Sequence, residues 1–448
     1  MSELLDKAYQ MTQKALALGA DEAKVSISRS RGVDLEWRDG QVERLQDQTE
    51  QGLSLSLFIN ERFSSHSTCD LRTEALESFL NNAIQMTRFL EADPCRSLPD
   101  PTLYQGRAEV DLDLYDAHYK QVSGEQRREE VEQLEELTRA SSAHLGEKVI
   151  SVSTCVSDGH TQSARVHSNG FEGETESSTF YATTTLHLKE DDGKRPVGGS
   201  YSYRRHREDL RGFNVLAQEA TRKAEQQLGA QKLATGKYTV VVENRSVGRL
   251  LGAMLSPLGG AALQQKRSLW EGRLGQQIAS PLLSIYDQPH LPRGLGSALW
   301  DGDGFACKER PIIDQGVLQT YLINDYYAKK MTVDQGQTVL PTGANLHNLV
   351  WQYGDKDLAD LIKDIGDGVL INRFLGGNSN GTTGEFSLGC AGHVIRNGQL
   401  AEPITEVNMS GQLEELWSNL ALVGSDAHPE GSSRCPSCVF ENLQLSGT

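Results

Sequence analysis

The chain has 448 residues, 38% of them hydrophobic, with 43 glycines and a formal charge of −17. That length exceeds one ordinary hydrophobic core and predicts two or three domains in a loop-rich, folded protein. The carboxylate excess argues against a surface that reads nucleic-acid phosphates, and no apolar run approaches the length that spans a bilayer. Met1 to Asp6 carries neither the basic nor the apolar part of a secretion signal, and the seven scattered cysteines fit a reducing compartment, so a cytoplasmic protein is expected. Residues 2–19 place Leu4, Leu5, Ala8, Met11, Ala15 and Leu18 at helical spacing, closed by Gly19. Alternating Val25, Ile27, Val33, Leu35 and Trp37 then meet a turn at Asp39-Gly40, a strong hairpin signal. A strand at 53–59 and a helix carrying Leu76, Phe79, Leu80, Ala83 and Ile84 follow.

Pro94, Pro99 and Pro101 mark a linker, and Ser123 with Gln126 forms a capping box before an acidic helix. Strands are predicted at 148–157, 161–168 and 178–189, and a helix near 209–228. The expected fold class is α+β. An N-terminal region of sheet-and-helix units spans 1–230, with sub-units 1–92 and 110–230, each burying its own sheet face under a helix. A mostly β, glycine-hinged domain spans 231–448, with helices near 246–255, 355–366 and 412–421.

Several residue groups invite a chemical reading beside a structural one. Cys435-Pro-Ser-Cys438 has the spacing of a redox pair or half a zinc knuckle, with His428 as the natural third ligand. A second such pair is absent, and the segment enters a strand at Val439, which favours packing. Asp301 and Asp303 suggest a calcium loop, but the twelfth position is Ile312, so a solvated turn is expected. Gly376-Gly-Asn-Ser-Asn-Gly381 matches no nucleotide-binding pattern. Its small residues allow close backbone approach, either by a peptide or within a structural bend. His347 and His393 have no second histidine three or four residues away, and read as satisfied core or surface histidines. Serine- or cysteine-based triads are spatial and cannot be read from order along the chain.

The order of Asp301-Gly-Asp-Gly304, Gly376 to Gly381, Asn397-Gly398, Val423-Gly-Ser-Asp426 and Arg434 to Cys438 resembles the C-terminal domain of the TldD/PmbA family, specifically its PmbA (TldE) branch. Pro289-His290-Leu291, Glu309-Arg310 and Tyr326 to Lys329 extend the likeness, and Asp93-Pro94-Cys95 carries it into the first half. The resemblance implies a zinc peptidase helix of the form His-Glu-x-x-x-His in the active branch. At the matching place, after Tyr238 to Val242, this chain has Gly252, Ala253 and Pro257, which neither ligate zinc nor take a proton. Cys435 matches a remaining ligand-like cysteine. No catalytic residue and no metal are therefore expected in this chain, with zinc held only by a TldD-type partner.

The same resemblance implies a subunit of a peptidase complex acting on flexible peptides, with peptide contact near Gly376, Gly377, Asn378 and Ser387. The partner would be a TldD-type chain or a second copy, with no nucleic acid and no membrane involved. The alternative is a homodimeric, non-catalytic peptide-binding or scaffolding protein. A third reading is an enzyme built on His428, Cys435 and Cys438. An older family label, modulator of DNA gyrase, finds no support in the acidic composition.

Overall fold

Two long hairpins organise the first half of the protein, a computed structural model that describes residues 2–447. Helix α1 (Glu3–Ala17) starts at Ser2, whose Oγ accepts from the Leu5 amide at 3.2 Å. Strands β1 (Glu22–Arg38), β2 (Gln41–Ile59) and β3 (Arg62–Thr68) follow, then α2 (Thr73–Thr87). The pattern repeats as α3 (Gly124–Ser142), β4 (Val149–His167), β5 (Glu172–Leu188), β6 (Val197–Arg204) and α4 (Phe213–Glu225). The capping box is present, with Ser123 Oγ accepting from the Gln126 amide at 3.1 Å.

The two units do not carry separate sheets. β1 pairs antiparallel with β4 from Lys24–His167 to Arg38–Ser153, so one sheet runs β3-β2-β1-β4-β5-β6. The stretches expected at 148–157 and 161–168 are one continuous strand, and β6, too glycine-rich to read as a strand, pairs with β5 at the edge. The apolar odd-numbered residues of β1 face the helices. Val25 and Ile27 lie in the core under α1 and α2, while Leu35 and Trp37 pack with Val131, Leu134 and Leu216 of α3 and α4. The opposite face carries Ser26, Ser28, Ser54, Ser163, Arg165 and Thr175, a polar surface that helices do not cover.

The second half contains β7 (Gly236–Val242), α5 (Asn244–Leu255), α6 (Gly260–Gln264), β8 (Ile285–Asp287), β9 (Arg310–Asp314), β10 (Val317–Leu318) and α7 (Asp325–Gln335). It continues with β11 (Leu349–Trp351), α8 (Leu358–Ile365), β12 (Gly368–Ser379), β13 (Glu385–Arg396), β14 (Gln399–Gln412), α9 (Leu413–Ser418), β15 (Leu420–Val423) and β16 (Cys438–Ser446). The larger sheet runs β14-β13-β12-β7-β16-β15, and an added β14–β16 pairing bends it into a barrel-like closure. Its core holds fully buried Trp270, Trp417 and Phe440. Helix α7 was not expected from sequence, because its buried residues are few and its polar ones many. Among the described residues no helix is long and apolar enough to cross a membrane.

The sheet and the barrel meet at a polar seam. Glu219 of α4 accepts from Ser200 Oγ at 2.6 Å and pairs with Arg211 at 2.9 Å, Lys223 at 3.2 Å and Arg245 of α5 at 2.5 Å. Burial opposes its charge, but these four donors outweigh burial and hold the carboxyl at about 2, below the usual 4.5. A carboxyl depressed on folding contributes stability above its unfolded value, which is lost as pH falls toward the folded one. Unfolding midpoints in urea are therefore expected to fall between pH 4.5 and 2 in part through Glu219, and Glu219→Gln should lose that component, so an unchanged pH profile would contradict it. At the α4–β6 contact, a Cβ on Gly198 would stand 2.2 Å from the Ala220 carbonyl oxygen. Gly198→Ala is expected to destabilise by about 2 kcal/mol, read as a lowered chemical-denaturation midpoint.

Candidate functional site

The polar sheet face forms one wall of a large cavity, about 1140 Å³. Ser26, Ser54, Ser163 and Arg165 line it from the sheet, while Trp300, Asp301 and His347 line it from the barrel half. Arg165 fixes the opposing loop by donating to the carbonyl oxygens of Asp301 and Gly302 at 3.1 and 2.9 Å. Asp301 is therefore not in a solvated turn, as its sequence suggests. It is 8% exposed, and its Oδ1 accepts from the amides of Asp303 and Phe305, both at 2.9 Å. Burial raises its pKa, with Asp303 adding to the effect against the two amides.

Leu346 belongs to this cavity and also to a smaller one of about 370 Å³ that reaches Leu255 and Ser256 at the end of α5. The end of α5 thus lines a pocket that shares Leu346 with the large cavity. Gly252 and Ser256 are exposed, as is Gly248 one turn earlier, so this side of α5 presents little but backbone. Ala253 is half-buried and Pro257 is buried. The glycine hairpin sits beside them: Arg249 donates to the Gly377 carbonyl at 2.8 Å, and a Cβ on Gly381 would meet Pro257 at 3.2 Å.

Gly376, Gly377 and Asn378 are exposed and pair with Gly389, Leu388 and Ser387 of β13. Ser387 Oγ donates to Asn408 Oδ1 at 3.1 Å. Gly377 is glycine of necessity. Its φ is 109°, and a Cβ would stand 2.1 Å from the Ser387 oxygen. β12 pairs with β7 only over Val369, Leu370 and Ile371, so beyond that point its second edge carries no strand among the described residues.

Cys435 and Cys438 are buried in the barrel core. Burial raises the Cys435 thiol to about 12 and holds the Cys438 thiol well above its ordinary value. His428 meets Cys435 through the backbone, its amide donating to the Cys435 oxygen at 2.8 Å, while its Nε2 lies 3.4 Å from the Tyr201 hydroxyl. Among the described residues no three His, Cys, Asp or Glu side chains converge as a metal-holding group.

The structure assembles one group that sequence reading missed. Cys307 Sγ lies 3.1 Å from His347 Nε2, and His347 Nδ1 lies 3.0 Å from Asp287 Oδ2. Asp287 also accepts from the His347 amide at 2.8 Å and pairs with Arg310 at 3.4 Å. The three residues are 20 to 60 positions apart, so no local motif announces them. The layout has the form of a nucleophile, base and orienting acid. Its chemistry is restrained, because burial, with Asp301 and Asp287 nearby, pushes the Cys307 thiol up to about 12. The Cys307 amide is spent on the Leu299 carbonyl at 3.0 Å. The chain therefore locks the cavity wall around His347, and the thiol stays protonated at neutral pH.

Comparison with known proteins places this geometry. Residues 235–447 match the PmbA/TldA metallopeptidase C-terminal domain, 23–87 match domain 1 and 117–228 match the central domain. The chain belongs to the PmbA/TldD family. A Bacteroides thetaiotaomicron protein described as a modulator of DNA gyrase has a crystal structure 38% identical over the whole of both chains, with a TM-score of 0.95. The metalloprotease PmbA of Escherichia coli O157:H7 is 26% identical over 99% of this chain and 96% of its own. TldE of Thermococcus kodakarensis shares the fold, with a TM-score of 0.84 at 18% identity, over 98% of this chain and 100% of its own. This chain is thus a member of a metalloprotease-like family. A metal is implied by the family, but Gly252, Ala253 and Pro257 offer no donor for it.

A protonated, buried thiol reacts slowly with alkylating agents. Iodoacetamide at neutral pH is expected to label exposed Cys69 at least about tenfold faster than Cys307. Comparable rates in peptide mass spectra would show that Cys307 is ionised and reachable.

Proposed function

We propose that this chain is the metal-free subunit of a zinc peptidase complex, pairing with a TldD-type chain and acting on flexible peptides. The observation that carries this reading is the pairing of a family-wide fold with a segment, 252–257, that has no imidazole and no carboxylate. Around that segment stand the cleft, the smaller pocket that shares Leu346 with it and the glycine hairpin beside Pro257. The exposed Gly248, Gly252 and Ser256 leave room against α5 for another chain.

An extended peptide recognises a free strand edge through main-chain hydrogen bonds, largely regardless of its side chains. The outer edge of β12 at Gly376 and Asn378, flanking the Gly377 carbonyl that Arg249 occupies and with Ser387 on the facing strand, supplies such an edge beside the segment that matches the zinc helix of a TldD-type chain. Holding the scissile bond in place is a large share of the work in such a reaction. Seven unpaired cysteines support a cytoplasmic setting.

The large cavity is walled by one chain's own sheet and loops. That favours a second reading, a self-paired protein that holds peptides without cleaving them. One assay separates the two. An unstructured peptide is incubated with this chain, with a TldD-type chain from the same cell, and with both. Cleavage only in the mixture, abolished by a chelator, is the expected result. Chelator-sensitive cleavage by this chain alone would overturn the first reading. Peptide binding by this chain, with full activity of the other chain alone, would favour the second.

A further inference from the structure

A third cavity, about 530 Å³, lies at the seam between the end of α4, the β5–β6 turn and strands β12 to β14 of the barrel. It is separate from the cleft described above. In a chain of net charge −17 its lining is basic: Lys194, Arg195, Lys232 and Arg373 stand against Glu190 and Glu406. Two of these cations have partners, Lys194 with Asp192 at 2.8 Å and Lys232 with Glu406 at 4.0 Å.

Arg373 differs from them. Its guanidinium is half-buried, has no carboxylate partner among the described residues, and leaves Nε buried without an acceptor. Burial lowers its pKa with no opposing charge. A guanidinium taken from water without an anion is costly, so the site is poised for a ligand that supplies one.

His393 is the second unpartnered group. Its ring is 4% exposed, and Nε2 donates to the Gln226 carbonyl at 2.8 Å. That bond fixes the proton on Nε2 and leaves Nδ1, in a residue that lines the cavity, buried and without a partner. Burial, with Arg222 adding to it, keeps the ring neutral. The backbone is arranged around the same two residues. The β12–β13 register slips between Ile371 and Arg373, and the β13–β14 register slips on both sides of the Gly392–His393 pairings. Such bulges re-aim side chains out of the regular alternation.

We propose that this cavity binds a small oxyanion that carries its own hydrogen-bond donor, such as hydrogen phosphate or a hydroxycarboxylate. The fork of Arg373 takes the anionic oxygens, and the ligand's O–H donates to His393 Nδ1. Arg195 adds long-range attraction at the rim. The bound anion ties α4 to the barrel, because His393 already holds the last turn of α4 through Gln226.

The test is calorimetric titration of the full chain with inorganic phosphate, glycolate and sulfate at matched ionic strength. Saturable binding of phosphate or glycolate is expected, with sulfate weaker by about tenfold because it brings no donor. Arg373→Met should weaken binding by at least about tenfold, and Arg373→Lys by less, since it keeps the charge but loses the fork. His393→Phe should remove the preference over sulfate. This last variant leaves Arg373 in place, so it reports on the site even if Arg373→Met fails to fold. No saturable binding of either donor-bearing anion, or undiminished binding by folded Arg373→Met, would overturn the proposal. Equal affinity for sulfate in the unmodified chain would overturn the role given to His393.

Discussion

The relative placement of sheet and barrel depends on buried charge at their seam, and Glu219 is its centre. One carboxylate gathers a hydroxyl from β6, two cations from its own half and Arg245 from α5. Buried ion pairs often contribute little net stability, since desolvation offsets attraction. What they do contribute here is position, because removing any one partner leaves charge uncompensated. The same device recurs along the seam. Glu430 accepts from the Tyr203 amide at 2.7 Å and pairs with Arg204, and Arg293 binds Asp113 at 2.6 Å and Asp209 at 3.0 Å. An apolar contact would have held the two halves together with less definite geometry.

That definite geometry is what makes the large cavity a cavity. The serine-bearing face of the sheet would be an open polar surface if the barrel half stood elsewhere. Arg165 crosses the gap to the Asp301 loop, and the Cys307–His347–Asp287 chain fixes the loop that carries Leu346. Leu346 in turn lines both the cleft and the smaller pocket at the end of α5. The end of α5 therefore lies beside that shared wall and next to a glycine hairpin whose backbone is exposed.

Much of this was legible in the sequence. Helical spacing located α1 and α2, the Asp39-Gly40 turn located the first hairpin, and Ser123 with Gln126 located the start of α3. These are local signals, set by period and by capping chemistry within a few residues. The order of short glycine motifs identified the family, and the residue types at 252, 253 and 257 sufficed to show that no zinc ligand stands there. A side chain without a lone pair lacks one in any fold.

What tertiary structure alone decided was everything that depends on distant residues meeting. The union of two sheet units into one came from β1–β4 pairing across more than a hundred residues of sequence. Asp301 became a buried acceptor because Arg165 reached its loop. His347 looked solitary because its partners, Cys307 and Asp287, lie far away in the chain. His393 looked satisfied, yet only one of its nitrogens is, because α4 meets the barrel at Gln226 and not elsewhere. Sequence fixes which atoms can donate, accept or ligate, since that is covalent chemistry. Which of them find partners is a matter of distance, and distance is set by the packing of the whole chain.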